Sequence, residues 1–147
     1  MIVLDANILI RAVLGRRVRQ LLEDYASQGI LFYAPDVAYA DAEKYLPVLL
    51  KKRSRPGEEV AAAIRYLKQF AIPVDHDSYG SFEDESRERL RGRDEEDWPV
   101  LATALALSSA IWTEDTDFFG TGIPVWTTNR IEIFLKARTK SSGFDEE

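Results

Sequence analysis

Ile2, Val3 and Leu4 are consecutive β-compatible apolar residues that end at a carboxylate, Asp5. Unbroken rather than alternating hydrophobicity marks a short strand buried on both faces. Asn7 can cap the segment that follows. From Arg16 to Gln28 the apolar positions Val18, Leu21, Leu22, Tyr25 and Ala26 recur at helical spacing until Gly29 closes the helix. Ile30 to Tyr33 reads as a second strand. A helix then opens at Pro35-Asp36, with Val37, Ala40, Tyr45 and Leu46 among its apolar positions, and Pro47 should kink it or end its first part. The run from Lys51 to Gly57 breaks the chain, Glu58 and Glu59 start a helix that reaches about Phe70, and Ile72 to Val74 is a third strand.

Residues 75–93 are rich in charge, and a helix fits between Gly80 and Gly92. The segment Trp98 to Ser108 is apolar almost all the way round, which predicts a helix packed on a sheet. Ala110 to Thr113 and Val125 to Thr127 read as fourth and fifth strands, and a last helix spans Asn129 to about Ala137. Strands alternating with helices predict one α/β domain over residues 1–137, built on a doubly wound, mostly parallel sheet flanked by helices, with a polar tail over 138–147. The chain shows no internal repeat or linker.

Composition narrows the chemistry. The 147 residues are long enough to bury a core without disulfides or a structural metal, and there is no Cys and a single His. Thiol nucleophiles, Cys-rich zinc sites and iron–sulfur clusters are excluded, and a reducing cytoplasm is the expected compartment. The N-terminus lacks the pattern of a signal peptide. The longest stretch free of Asp, Glu, Lys and Arg, Trp98 to Thr113, is 16 residues, shorter than the roughly 20 that a membrane span needs. The net charge of −6 argues against a protein that merely coats nucleic acid, but it is unevenly spread. Residues 1–74 carry 11 Lys and Arg against 8 Asp and Glu, a net +3, whereas residues 75–147 carry 8 against 17, a net −9.

In open α/β sheets, ligands gather at the carboxyl ends of strands. Asp5 falls there after strand 1, and Asp115 and Asp117 fall there after strand 4. If those strands are neighbours, the carboxylates converge, and Asp97, at the start of the helix feeding strand 4, leans over the same edge. Crowded carboxylates repel unless a cation intervenes, and an all-oxygen set suits Mg²⁺ or Mn²⁺ better than zinc. With one His, a His-pair nuclease or a Ser-His-Asp triad has little to work with, which leaves metal-activated water for hydrolysis. Asp94 reads as a helix cap, Trp98, Trp112 and Trp126 as core, and His76 as an exposed loop residue.

Three motifs carry a resemblance: Val3-Leu4-Asp5-Ala6-Asn7, the run Arg93 to Pro99 leading into an Ala/Leu helix, and the run Thr113 to Gly120. In this order and spacing they resemble PIN-domain nucleases, a family that includes the VapC-type ribonuclease toxins, over roughly residues 1–137. The resemblance implies a sheet of order 3-2-1-4-5 and an Mg²⁺- or Mn²⁺-dependent endoribonuclease. It also implies a homodimer and, where the protein is a toxin, an antitoxin partner. It assigns Asp5, Glu43, Asp97 and Asp115 as the family acids and Asp117 as an accessory metal ligand, and it gives Asn7 and Thr113 the task of holding carboxylates or water. Asp36 or Asp41 could face the site in place of Glu43. Arg11, Arg16, Lys51, Lys52 and Arg53 are candidate contacts to RNA phosphates. Two other readings stand beside the nuclease: a PIN-like module that binds RNA or protein without turnover, and an α/β phosphohydrolase using an aspartyl phosphate. Against the latter, position 7 is Asn where a second acid would be expected.

Overall fold

The computed structural model describes residues 1–56 and 58–145. Its strands are β1 (Ile2–Leu4), β2 (Phe32–Pro35), β3 (Ala71–Val74), β4 (Ala110–Trp112) and β5 (Val125–Trp126). All pair in parallel, in the order β3-β2-β1-β4-β5, so β1 lies between β2 and β4, as the resemblance implied. The helices between and after them are α1 (Ala6–Leu14), α2 (Arg17–Ser27), α3 (Asp36–Lys52), α4 (Val60–Leu67), α5 (His76–Tyr79), α6 (Glu83–Arg89), α7 (Trp98–Leu107) and α8 (Ile131–Asp145).

The unbroken apolar runs are explained by cores on both faces of the sheet. Ile2, Leu4, Phe32, Ala34, Ala110 and Trp112 enter one core with α1, α2, α3, α4 and α8, whereas Val3 and Ile111 enter the other with α5 and α7. Alternate residues of the three central strands thus point into different layers, whereas the edge strand β3 leaves Ile72 and Pro73 exposed. In α7, Trp98 to Ala104 are all buried, which accounts for its hydrophobicity around the full circumference.

Several local features differ from the sequence reading. The second strand begins two residues later, because Gly29 ends α2 with a left-handed φ of +94° and Ile30 and Leu31 are spent in re-entering the sheet. The cap of α1 is Asp5, whose carboxylate accepts from the Ala6 amide at 2.7 Å, and the Asn7 side chain is used elsewhere. Helix α3 passes through Pro47 without ending. Pro47 and Glu43 are both exposed, so the Glu43 carbonyl that loses its helical donor faces water, while Leu46 and Leu50 anchor either side of the proline. Helix α8 continues past residue 137 to Asp145, and residues 146 and 147 of the polar tail lie outside the described residues.

The packing of α3 makes a direct prediction. Leu46 is fully buried whereas its neighbour Tyr45 is 50% exposed. In urea unfolding, Leu46→Ala should cost about 2–5 kcal/mol and Tyr45→Ala under about 1 kcal/mol.

Candidate active site

Strands β1 and β4 run side by side with Leu4 opposite Trp112, and the ladder extends one step further through the Asp5 amide, which donates to the Trp112 carbonyl at 3.2 Å. Asp5 and Thr113 therefore leave the sheet together. The Thr113 hydroxyl donates to Asp5 Oδ2 at 2.8 Å, and the Asn7 amide nitrogen donates to the same oxygen at 3.0 Å. The Asn7 carbonyl oxygen accepts from the Glu114 amide at 3.2 Å, and Thr113 Oγ1 accepts from the Asp115 amide at 2.9 Å. Asn7 and Thr113 thus tie the start of α1 to the loop after β4, as polar struts that hold a half-buried carboxylate.

That loop turns at Asp115, whose Oδ1 accepts from the Asp117 amide at 2.9 Å to cap the short 3₁₀ turn Thr116–Phe118. Facing it is a second 3₁₀ turn, Glu95–Asp97, capped by Asp94, whose carboxylate accepts from Glu96. Asp94 is the cap that the sequence suggested. Carboxylate oxygens of Asp97, Asp115 and Asp117, all half-buried, lie within 4.8 Å of one another. Burial pushes the Asp97 carboxyl up to about 8, reinforced by its hydrogen bond and charge contact with Asp115 and by the charges of Asp94 and Asp5. Asp5 is also raised, first by burial and then by Asp115 and Asp41, against the opposing pull of its Thr113 and Ala6 hydrogen bonds. A cleft of about 30 Å³ opens between Asp5, Asp41, Asp97, Pro99 and Val100, room for about one ion or water. An all-oxygen set of crowded carboxylates suits a hard divalent ion, whose charge would offset their mutual repulsion.

The structure brings Asp5, Asp97, Asp115 and Asp117 to this edge but not Glu43. Asp41 and Glu43 are two residues apart on α3, about 200° around the helix, and it is Asp41 that shares the cleft with Val37 and Ala38. Glu43 is exposed and lines no part of the cleft. Asp36 is engaged elsewhere, accepting a short hydrogen bond from the buried Tyr79 hydroxyl. Trp98 and Trp112 are core residues, Trp126 is half-buried, and His76 is exposed on α5 with its ring against Tyr79 and Trp98.

Two arginines of the acidic half, Arg89 and Arg93, hold the loop in a way that sequence spacing does not reveal. Arg93 donates to the Asp117 carbonyl at 2.7 Å and to the Phe119 carbonyl, while Arg89 donates to the Thr121 carbonyl at 2.8 Å and pairs with Glu85. Together they pin the acidic loop to α6 and to the segment that leads into Asp97. Glu114 is a third addition: it accepts from the Thr128 amide at 2.8 Å and lies 3.9 Å from Arg11. Of the basic residues singled out, Arg11, Arg16 and Arg53 line one groove, together with Arg17 and Thr128. Lys51 and Lys52 are exposed outside it.

Among known proteins, a family model described as PIN domain matches residues 3–136. The solved structure of FitAB bound to an IR36 DNA fragment aligns with 87% of this chain and 95% of that chain, with a TM-score of 0.53 and 23% identity, a likeness of fold. No curated protein matches the chain.

The crowding of Asp97 has a sign that can be measured. With its carboxyl raised to about 8, Asp97 should keep a proton in the metal-free folded protein, above the ordinary carboxylate range, that the unfolded chain releases. Stability in EDTA should therefore fall as pH rises through that window. Asp97→Asn should flatten this slope and raise the melting temperature at pH 8 by roughly 3 °C or more, about 1 kcal/mol for a domain of this size. Identical melting curves for the two proteins from pH 5 to 9 would show that the acids do not crowd one another.

Proposed function

The chain belongs to the PIN-domain family, whose members are in general metal-dependent nucleases, and from that premise we propose that it is an Mg²⁺- or Mn²⁺-dependent endoribonuclease. The observation that carries the reading is the cluster of Asp97, Asp115 and Asp117 oxygens beside Asp5, at the carboxyl edge of the two central strands. In hydrolysis, water adds to phosphorus, one P–O ester bond breaks, and a proton passes from the water to the leaving oxygen. Asp5, Asp97, Asp115 and Asp117 are the residues that would hold the cation. When bound, it supplies Lewis acidity and offsets charge gathering on the phosphate.

The rest of the chemistry belongs to side chains. Thr113 and Asn7 both donate to Asp5 Oδ2, which fixes the direction of that carboxylate. We assign the fourth acidic role to Asp41 rather than Glu43, because Asp41 stands in the cleft, where a carboxylate can take the proton of an incoming water. The VapC-type likeness of the three motifs extends the reading to a toxin working in the cytoplasm, as a homodimer and with an antitoxin protein as partner. Among the described residues, no helix is long and apolar enough to cross a membrane.

Cleavage of a labelled RNA in Mn²⁺ or Mg²⁺ tests the assignment. Asp5→Asn and Asp97→Asn should each lose activity by about 10- to 100-fold or more, as should Asp41→Asn, while Glu43→Gln should cleave like the parent. The opposite result for the Asp41 and Glu43 pair would return the role to Glu43. If neither metal supports cleavage of single-stranded or structured RNA, the nuclease reading is wrong.

A further inference from the structure

We propose that the arginine-lined groove beside the acid cluster is a separate subsite for the phosphodiester backbone of a single nucleic-acid strand, binding it without metal on one flank of the scissile bond. Its place in a reaction rests on the nuclease reading; its ligand chemistry does not. The groove has a volume of about 320 Å³ and is lined by Arg11, Arg16, Arg17 and Arg53, with Leu14 and Thr128 among its walls. That lies at the small end of the range for ligand pockets, roughly 300–1,000 Å³.

Charge bookkeeping indicates what it lacks. Arg17 is already matched by Glu132 at 2.6 Å, and Arg11 leans on Glu114 at 3.9 Å. Among the described residues, neither Arg16 nor Arg53 has a carboxylate within ion-pair distance. Helix α2 starts in the groove with no acidic residue in its first turn and no side-chain cap, which adds the positive end of its dipole to the same space. Four arginines along one groove, two of them without a carboxylate partner among the described residues, suit an anion whose charges recur at intervals, and a phosphodiester chain is one.

Local structure explains why these arginines converge although they are far apart in sequence. After α3, Ser54 takes a left-handed φ of 59° and turns the chain back. Arg55 then donates to the Leu14 carbonyl at the end of α1 at 2.8 Å and pairs with Glu58 at 2.6 Å, docking the turn on α1 so that Arg53 reaches the groove. Lys51 and Lys52, on the last turn of α3, do not line it. Glu114 links the groove to the proposed chemistry. It precedes Asp115, accepts from the Thr128 amide and lies 3.9 Å from Arg11, so the acid loop is tied to two residues of the groove.

Two further properties follow. None of the lining side chains is aromatic, so the subsite has no platform on which to stack a base, and it reads phosphate rather than sequence or sugar. RNA and DNA single strands should therefore both bind. A volume of about 320 Å³ suits one flexible backbone, which can bend to meet the arginines, better than two strands held side by side.

The test is fluorescence anisotropy of the full chain in EDTA with labelled ten-nucleotide oligouridylate, oligothymidylate and a duplex of the same length. The parent should bind both single strands more tightly than the duplex. The double variant Arg16→Ala/Arg53→Ala should bind both at least about 10-fold more weakly, with the slope of log Kd against log salt reduced by about 1.4, two single-strand phosphate contacts. Lys51→Ala/Lys52→Ala should bind like the parent. Both altered arginines are exposed, and an unchanged melting temperature with an unchanged response to Mn²⁺ would show that fold and cation pocket are intact. Oligonucleotide binding by the arginine variant equal to the parent overturns the proposal and leaves the groove to a protein partner; a duplex bound as tightly as the single strands overturns its single-strand form. Weakened binding in the arginine variant, in a protein that cleaves nothing, would sustain the groove while the nuclease reading fails. Cleavage that depends on the acids yet is indifferent to the arginines would do the reverse.

Discussion

Adjacent parallel strands that end at the same level leave no choice about where their next residues go. Because β1 pairs with β4 up to Leu4 and Trp112, Asp5 and Thr113 must emerge as neighbours, and the loop carrying Asp115 and Asp117 must begin beside the first carboxylate. The packing of α7 on the same sheet brings Asp97 over that edge. Electrostatic repulsion between these acids is thus imposed by backbone pairing and core burial, and the protein carries the cost rather than relaxing it. The Asp97 carboxyl, raised first by burial and then by Asp115, is where burial and crowding meet.

Much of this was legible in the chain. Apolar runs such as Ile2 to Leu4 and Ala110 to Trp112 announce strands buried on both faces, and a carboxylate directly after such a strand can only lie at the sheet's edge. What stayed illegible depends on rotation and on long-range partners. Asp41 and Glu43 look equivalent in a string of letters, and both are exposed; only the angular setting of α3, fixed by the burial of Ala38, Ala42 and Leu46, puts one of them on the rim of the cleft and the other away from it. The same holds for the basic residues. Lys51, Lys52 and Arg53 form one cluster in sequence, but the Ser54 turn divides it.

Asp5 shows how a single side chain can satisfy readings that seem to compete. It caps α1 through Oδ1 and receives Thr113 and Asn7 at Oδ2, so the ordinary structural task and the proposed functional one are carried by different oxygens of one carboxylate. The −6 net charge divides in a similar way. The excess of acid in the second half includes the edge of Asp97, Asp115 and Asp117, and the mildly basic first half supplies the four arginines of the groove alongside it.

The clamp of Arg89 and Arg93 grips the acidic loop by the main-chain carbonyls of Asp117, Phe119 and Thr121, not by its side chains. Such a grip is blind to most of the letters it holds. The grip itself constrains Gly120 and Gly122, since each has a positive φ and a Cβ there would come within 3.1 and 2.9 Å of the guanidinium groups. Substitutions at the exposed positions 116 and 119 would therefore change what the rim of the acid cluster presents to solvent while the path of the loop, and with it the spacing of the acids, stays the same.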